Sequence, residues 1–156
     1  MGLLCSATGH LPIIYTCQSR ISKEKTGLDY PEKIENIEVG KFVNKMHFLH
    51  TSAWHDQEGE EIGQYIVSYS DGVRAIIPII YQKDVVDWWF MEGDKQPSEA
   101  AIAWQGQNQR TKEYGYSLGV YKSTWSNPHP ENKITKIDFV STMAESGPIL
   151  FAVTVE

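Results

Sequence analysis

Two carboxylates three residues apart, Asp84 and Asp87, lead directly into a pair of tryptophans, Trp88 and Trp89. On one helical turn the two acids would share a face and could act as a general acid–base pair. Glycoside hydrolysis instead sets its carboxyls roughly 5–9 Å apart across a cleft, usually on separate strands. The simpler expectation is that Asp84 caps a short helix over residues 85–91. His47, His50 and His55 raise the question of a metal. Side chains alternate along a strand, so His47 and His50 point to opposite faces and do not converge on one ion. A packed His50 and an exposed His55 are expected, and Glu58, Glu60 and Glu61 read as a solvated loop. There is no G-x-S-x-G elbow, no Cys–His pairing and no glycine-rich phosphate loop after a strand. A small hydrolase using Asp84, Asp87 or His50 would therefore lack a complete set of groups. No cofactor is called for, although a structural calcium stays open.

The indoles carry more. Trp54, Trp88, Trp89, Trp104 and Trp125 all fall at or just beyond the ends of predicted strands, beside polar or turn residues. An indole there presents a flat apolar face with one polar edge and loses little entropy when held still, which suits it to a sugar ring or a partner protein. The bland reading is that such rings plug the ends of a sandwich. In extended backbone Trp88 and Trp89 cannot both face the core, so one is expected beneath the sheet and the other more exposed. Trp104 precedes Gln105-Gly106-Gln107-Asn108, and Trp125 precedes Ser126-Asn127-Pro128-His129-Pro130. Amides beside an aromatic platform supply donors and acceptors for a neutral polyol. The expected site takes its faces from Trp88 or Trp89, Trp125 and Tyr81. Its directional hydrogen bonds come from Asp87, Asn108, Arg110 and Asn127.

Those residues need a β scaffold. From residue 34 onward the pattern is strand and turn, with candidate strands at 34–39, 45–51, 63–69, 73–81, 100–105, 116–124, 134–140 and 149–155. Such a chain folds as an all-β, antiparallel sandwich or barrel. Asp71-Gly72 marks a hairpin with a two-residue turn, setting Tyr69 opposite Arg74, a possible cation–π pair, and Val67 opposite Ile76. Pro78 cannot donate to a ladder and places its strand at an edge or bulge. The apolar run at 149–155 is expected to dock inside a sheet. Residues 1–33 are atypical, with one short strand near 11–17. The 156 residues fit a single domain able to bury about 68–70% of its unfolded surface.

A net charge of −6 with scattered Lys and Arg argues against a nucleic-acid partner, and no stretch reaches the ~20 apolar residues of a membrane span. Met1-Gly2-Leu3-Leu4-Cys5-Ser6 fits a myristoylation pattern, read here as a chance match. No secretory signal is visible, which places the chain in the cytoplasm as it stands and outside the cell if it is an excised module. Cys5 and Cys17 make no disulfide framework and are expected as free thiols.

A resemblance rests on Phe48-Leu49-His50-Thr51-Ser52-Ala53-Trp54, Gly63-Gln64-Tyr65, Tyr69-Ser70-Asp71-Gly72 and Asp84-Val85-Val86-Asp87-Trp88-Trp89. It continues through Ala103-Trp104-Gln105-Gly106-Gln107-Asn108, Trp125 to Pro130 and Ile137-Asp138-Phe139-Val140-Ser141. Residues 34–156 resemble the galactose-binding-like, jelly-roll carbohydrate-binding modules of environmental bacteria. The resemblance implies a non-catalytic module that binds carbohydrate or a similar polar small molecule. Such modules usually carry further strands upstream, where residues 1–33 differ. The uncovered edge this leaves suggests the alternative of a homodimer whose exposed aromatics form the interface.

Overall fold

The computed structural model describes Gly2–Leu3 and residues 14–156. Two antiparallel sheets face each other. In the seven-stranded sheet, β1 (Gly2–Leu3) and β2 (Tyr15–Thr16) lie along β11 (Gly147–Val155), which pairs with β4 (Lys45–Ala53) and through it with β9 (Ser117–Ser126). The short β7 (Trp89–Phe90) and the edge strand β8 (Ala101–Gly106) also pair with β9. The four-stranded sheet runs β3 (Lys33–Lys41), β10 (Ile134–Ser141), β5 (Glu61–Tyr69) and β6 (Arg74–Ile80). The protein is an all-β sandwich, as its strand-and-turn pattern predicts. No helix among the described residues is long and apolar enough to cross a membrane.

Period-two alternation builds the core. Met46, Phe48 and His50 of β4 point inward against Tyr65, Val67 and Tyr69 of β5 and Ile137 and Phe139 of β10. The Phe48 ring stacks on Tyr65 at 4.0 Å and Tyr65 on Phe139 at 5.3 Å, so one aromatic column joins the sheets. His50 is buried beside it, its ring nitrogens 2.9 Å from the Tyr65 hydroxyl and 2.8 Å from the Ser123 hydroxyl. His55 is exposed. Pro78 lies on β6, the outer strand of its sheet, and β11 runs inside its own, both as expected. Cys17 is a free buried thiol, pushed by burial up to about 12; Cys5, most of the myristoylation pattern and residues 11–13 lie outside the described residues.

Three local expectations are corrected. The hairpin register is one residue off: Arg74 pairs with Ser68, Ala75 with Val67 and Ile76 with Ile66. Its loop has three residues, closed by a bond from Tyr69 N–H to Val73 O, with Gly72 at φ 88 in the left-handed position such loops require. Tyr69 therefore turns into the core and bonds Asn127, and no cation–π pair with Arg74 forms.

Residues 85–91 are not a helix. The Asp84 carboxylate accepts the Ile80 N–H at 2.9 Å, capping a tight turn in which Gln82 has φ 64. β-branched Val85 and Val86 then run extended into the core.

Two short helices were not anticipated, because neither carries an apolar period. These are α1 (Ser22–Thr26) and α2 (Gln109–Tyr114). Asn108 starts α2: its Oδ1 accepts the Thr111 N–H, while the Thr111 hydroxyl accepts the Asn108 N–H, each at 2.9 Å.

Candidate functional site

An aromatic-lined cleft lies on the outer face of the seven-stranded sheet, away from the aromatic column. Paired residues of antiparallel strands share a face. Leu150 faces inward with its partner His50, so Ile149 with Thr51 and Thr16, and Gly147 with Ala53, face outward. A bulge between Leu150 and Ala152 adds Phe151 to this surface. Thr16, Ala53, Ile149 and Phe151 thus form a floor, and Trp54, Trp88, Trp89 and Tyr116 rise around it. Tyr30 and Thr26 close one side, and the cavity measures about 550 Å³. That size suits a small organic ligand.

The walls meet because β4 and the segment before β7 are tied together. Trp88 N–H donates to Ser52 O at 2.8 Å, and Ser52 and Asp87 form an isolated bridge. Just past β4 the backbone at Trp54 turns left-handed, φ 68, an uncommon conformation for so bulky a residue. Asp87 sits at the junction. Its Oδ1 accepts the Trp89 N–H at 3.1 Å, and its Oδ2 lies 3.6 Å from His55 Nε2. The Asp87 side chain is 14% exposed, whereas the His55 ring is 79% exposed at the rim. Burial raises the Asp87 carboxyl above its usual range, partly offset by the backbone N–H groups of Trp89 and Trp54 and by His55. His50, in the core, is lowered by burial to about 3 and stays neutral.

The structure brings together Asp87, Trp88 and Trp89 of the expected site. Both indoles are half-buried and both line the cleft, so neither packs beneath the sheet; Phe90 takes the inward position instead. Arg110 stands outside the lining with its guanidinium 6.0 Å over the Trp89 ring.

The other members lie elsewhere. Tyr81 is buried and offers no stacking face; its hydroxyl accepts the Asp87 N–H at 3.3 Å and lies 3.2 Å from His55 Nδ1. Asn108 uses its carbonyl to cap α2. Trp125, at an inward position of β9, packs against the core. Asn127 is buried, accepting from the Tyr69 hydroxyl at 2.5 Å and donating to Val43 O at 2.7 Å.

Trp54, Tyr30 and Tyr116 were not anticipated as lining. Trp54 stands out in the sequence as a strand-end indole, but its approach to Trp88 depends on a pairing between residues far apart in the chain. Among the described residues no three of His, Cys, Asp and Glu gather to hold a metal ion.

Fold and cleft together define a β-sandwich with an aromatic-lined surface site. No protein-family model matches the chain, and comparison with curated proteins and with solved structures finds no match.

Proposed function

We propose that this protein is a non-catalytic binding module of the galactose-binding-like, jelly-roll kind, taking a carbohydrate or similar polar small molecule in the Trp54–Trp88–Trp89 cleft. The observation that carries this reading is the convergence of three indoles on one concave surface beside a single half-buried carboxylate. Stacking faces with one fixed acceptor are what a hydroxyl-bearing ring needs. The chain's crossings between sheets, from β3 to β4 to β5 and from β9 to β10 to β11, support the jelly-roll relation. Asp87 is the only carboxylate among the described lining residues, which favours binding over two-acid hydrolysis. A glycan array read beside tryptophan fluorescence tests the reading: retained glycans should quench emission, and Trp88→Ala should abolish retention without unfolding the protein. Retention unchanged in Trp88→Ala would defeat it.

A second reading, self-association, is favoured by β8. This edge strand is uncharged, and Ile102 and Trp104 are 45% and 53% exposed. Exposed edges of this kind pair with other strands unless they are blocked. Light scattering that finds a dimer, converted to monomer by Ile102→Lys, would support it. A strict monomer at micromolar concentration would dispose of it.

A further inference from the structure

We infer that the ligand of the Trp54–Trp88–Trp89 cleft carries a positively charged nitrogen, of the ammonium or quaternary-ammonium class, held among the indoles with Asp87 as its counter-charge. This rests on the binding reading above and narrows it to one charge class of ligand.

The first argument is the composition of the walls. Trp54, Trp88, Trp89, Tyr30 and Tyr116 all line one cavity, and no lysine or arginine is among its described lining residues. An aromatic face carries negative electrostatic potential, and tryptophan attracts cations most strongly of the natural side chains. Several such faces around one volume add their attraction for a cation and contribute nothing comparable for a neutral group of equal shape.

The second argument is the place of Asp87. Its side chain is partly buried, and its neighbours satisfy it unevenly. Oδ1 accepts a backbone N–H, whereas the cationic candidate facing Oδ2 is the rim imidazole of His55, 3.6 Å away and mostly in solvent. A carboxylate so placed favours a desolvated cation and repels an anion. Burial raises the Asp87 carboxyl, as expected for a charge without a close full counter-ion.

A third observation shows the preference already in use. Arg110 lies over Trp89 at 6.0 Å, so one wall of the cleft presents its ring to a guanidinium from α2. A ligand cation would meet the same kind of surface under drier conditions, where the attraction is larger. The net charge of −6 adds a weak long-range pull in the same direction.

The test titrates the full chain, read by tryptophan fluorescence, with choline and with its carbon isostere 3,3-dimethylbutan-1-ol, which match in shape and differ in charge. Choline should bind about tenfold more tightly. Asp87→Asn, which keeps an oxygen to accept the Trp89 N–H, should cut the preference for choline severalfold and leave only the part due to the aromatic walls, with a single cooperative melting transition confirming the fold. Equal binding by the unsubstituted protein, or a preference undiminished by Asp87→Asn, would overturn the inference. Glucose and glucosamine form the second arm. Saturable binding of glucose with no advantage for glucosamine overturns the cation and leaves the binding reading standing, while no saturable binding of any of the four overturns both.

Discussion

Asp87 Oδ1 accepts the backbone N–H of Trp89 at 3.1 Å, so the residue that charges the cleft also holds one of its walls in place. The two roles can be separated by substitution. Asp87→Asn keeps the acceptor, whereas Asp87→Ala orphans a half-buried N–H at a cost of about 1–3 kcal/mol. Urea denaturation at neutral pH should therefore rank Asp87→Ala well below Asp87→Asn. Equal losses would show that the bond contributes nothing.

The same carboxyl makes stability depend on pH. Its folded value is raised above the ordinary 3.8, so the folded form holds a proton that the unfolded chain has released. The stabilising contribution is full below 3.8 and is lost as pH rises through the folded value. Replacing Asp87 with Asn should remove that decline, and the stability difference between variant and unsubstituted protein should grow across this window. A constant difference would contradict the assignment.

His50 works in the opposite sense. Burial lowers it from 6.5 to about 3, so between those values the unfolded chain binds a proton that the folded core refuses. Stability should fall as pH drops through that interval, with a limiting slope of roughly 1.4 kcal/mol per pH unit. His50→Gln can keep hydrogen bonds to Tyr65 and Ser123 and should flatten this slope in urea titrations between pH 4 and 7. An unchanged slope would place the acid sensitivity elsewhere.

The aromatic column gives a prediction about packing alone. Phe48 is buried and stacks across the sheets on Tyr65. Phe48→Ala should cost about 3–5 kcal/mol. Trp88→Ala, on the outer face, should lose ligand quenching and cost far less. Similar melting temperatures for the two variants would mean that Trp88 is itself a core residue.

Gly63 allows a test of close approach. A Cβ there would stand 2.8 Å from Val140 O and 3.0 Å from Pro148 Cγ, where β5 meets β10 and β11. The nearer atom is backbone and cannot swing aside, so Gly63→Ala should destabilise by about 1–3 kcal/mol. A neutral effect by calorimetry would mean that the β10 backbone and Pro148 can shift away from β5 without cost.

The strands were legible because alternation over five or more residues is set by which face is buried, and Lys45 to His50 displays it without interruption. What failed was decided by single side-chain bonds. The sequence predicts Asp84 as a helix cap, and it does cap a backbone turn, but the N–H it accepts from belongs to Ile80, four residues earlier, rather than to residues ahead of it. The hairpin slipped by one because Asp71-Gly72 suits both two- and three-residue loops, and bonds beyond the turn choose between them. In the site, Asp87, Trp88 and Trp89 could be found because they are adjacent in sequence. Asn127 resembled a ligand donor because polarity is visible in a sequence, whereas its three internal partners are not.

Ile149 and Phe151 reach the floor of the cleft from β11, opposite Trp54 and Trp88, whose strands are made about a hundred and about sixty residues earlier. During translation the indole walls thus emerge long before the surface they enclose. Until residue 151 has cleared the ribosome, β4 can pair with β9 but lacks its β11 partner, and the apolar rings have no floor to surround. The proposed cleft is in this sense completed only when β11 docks along β4.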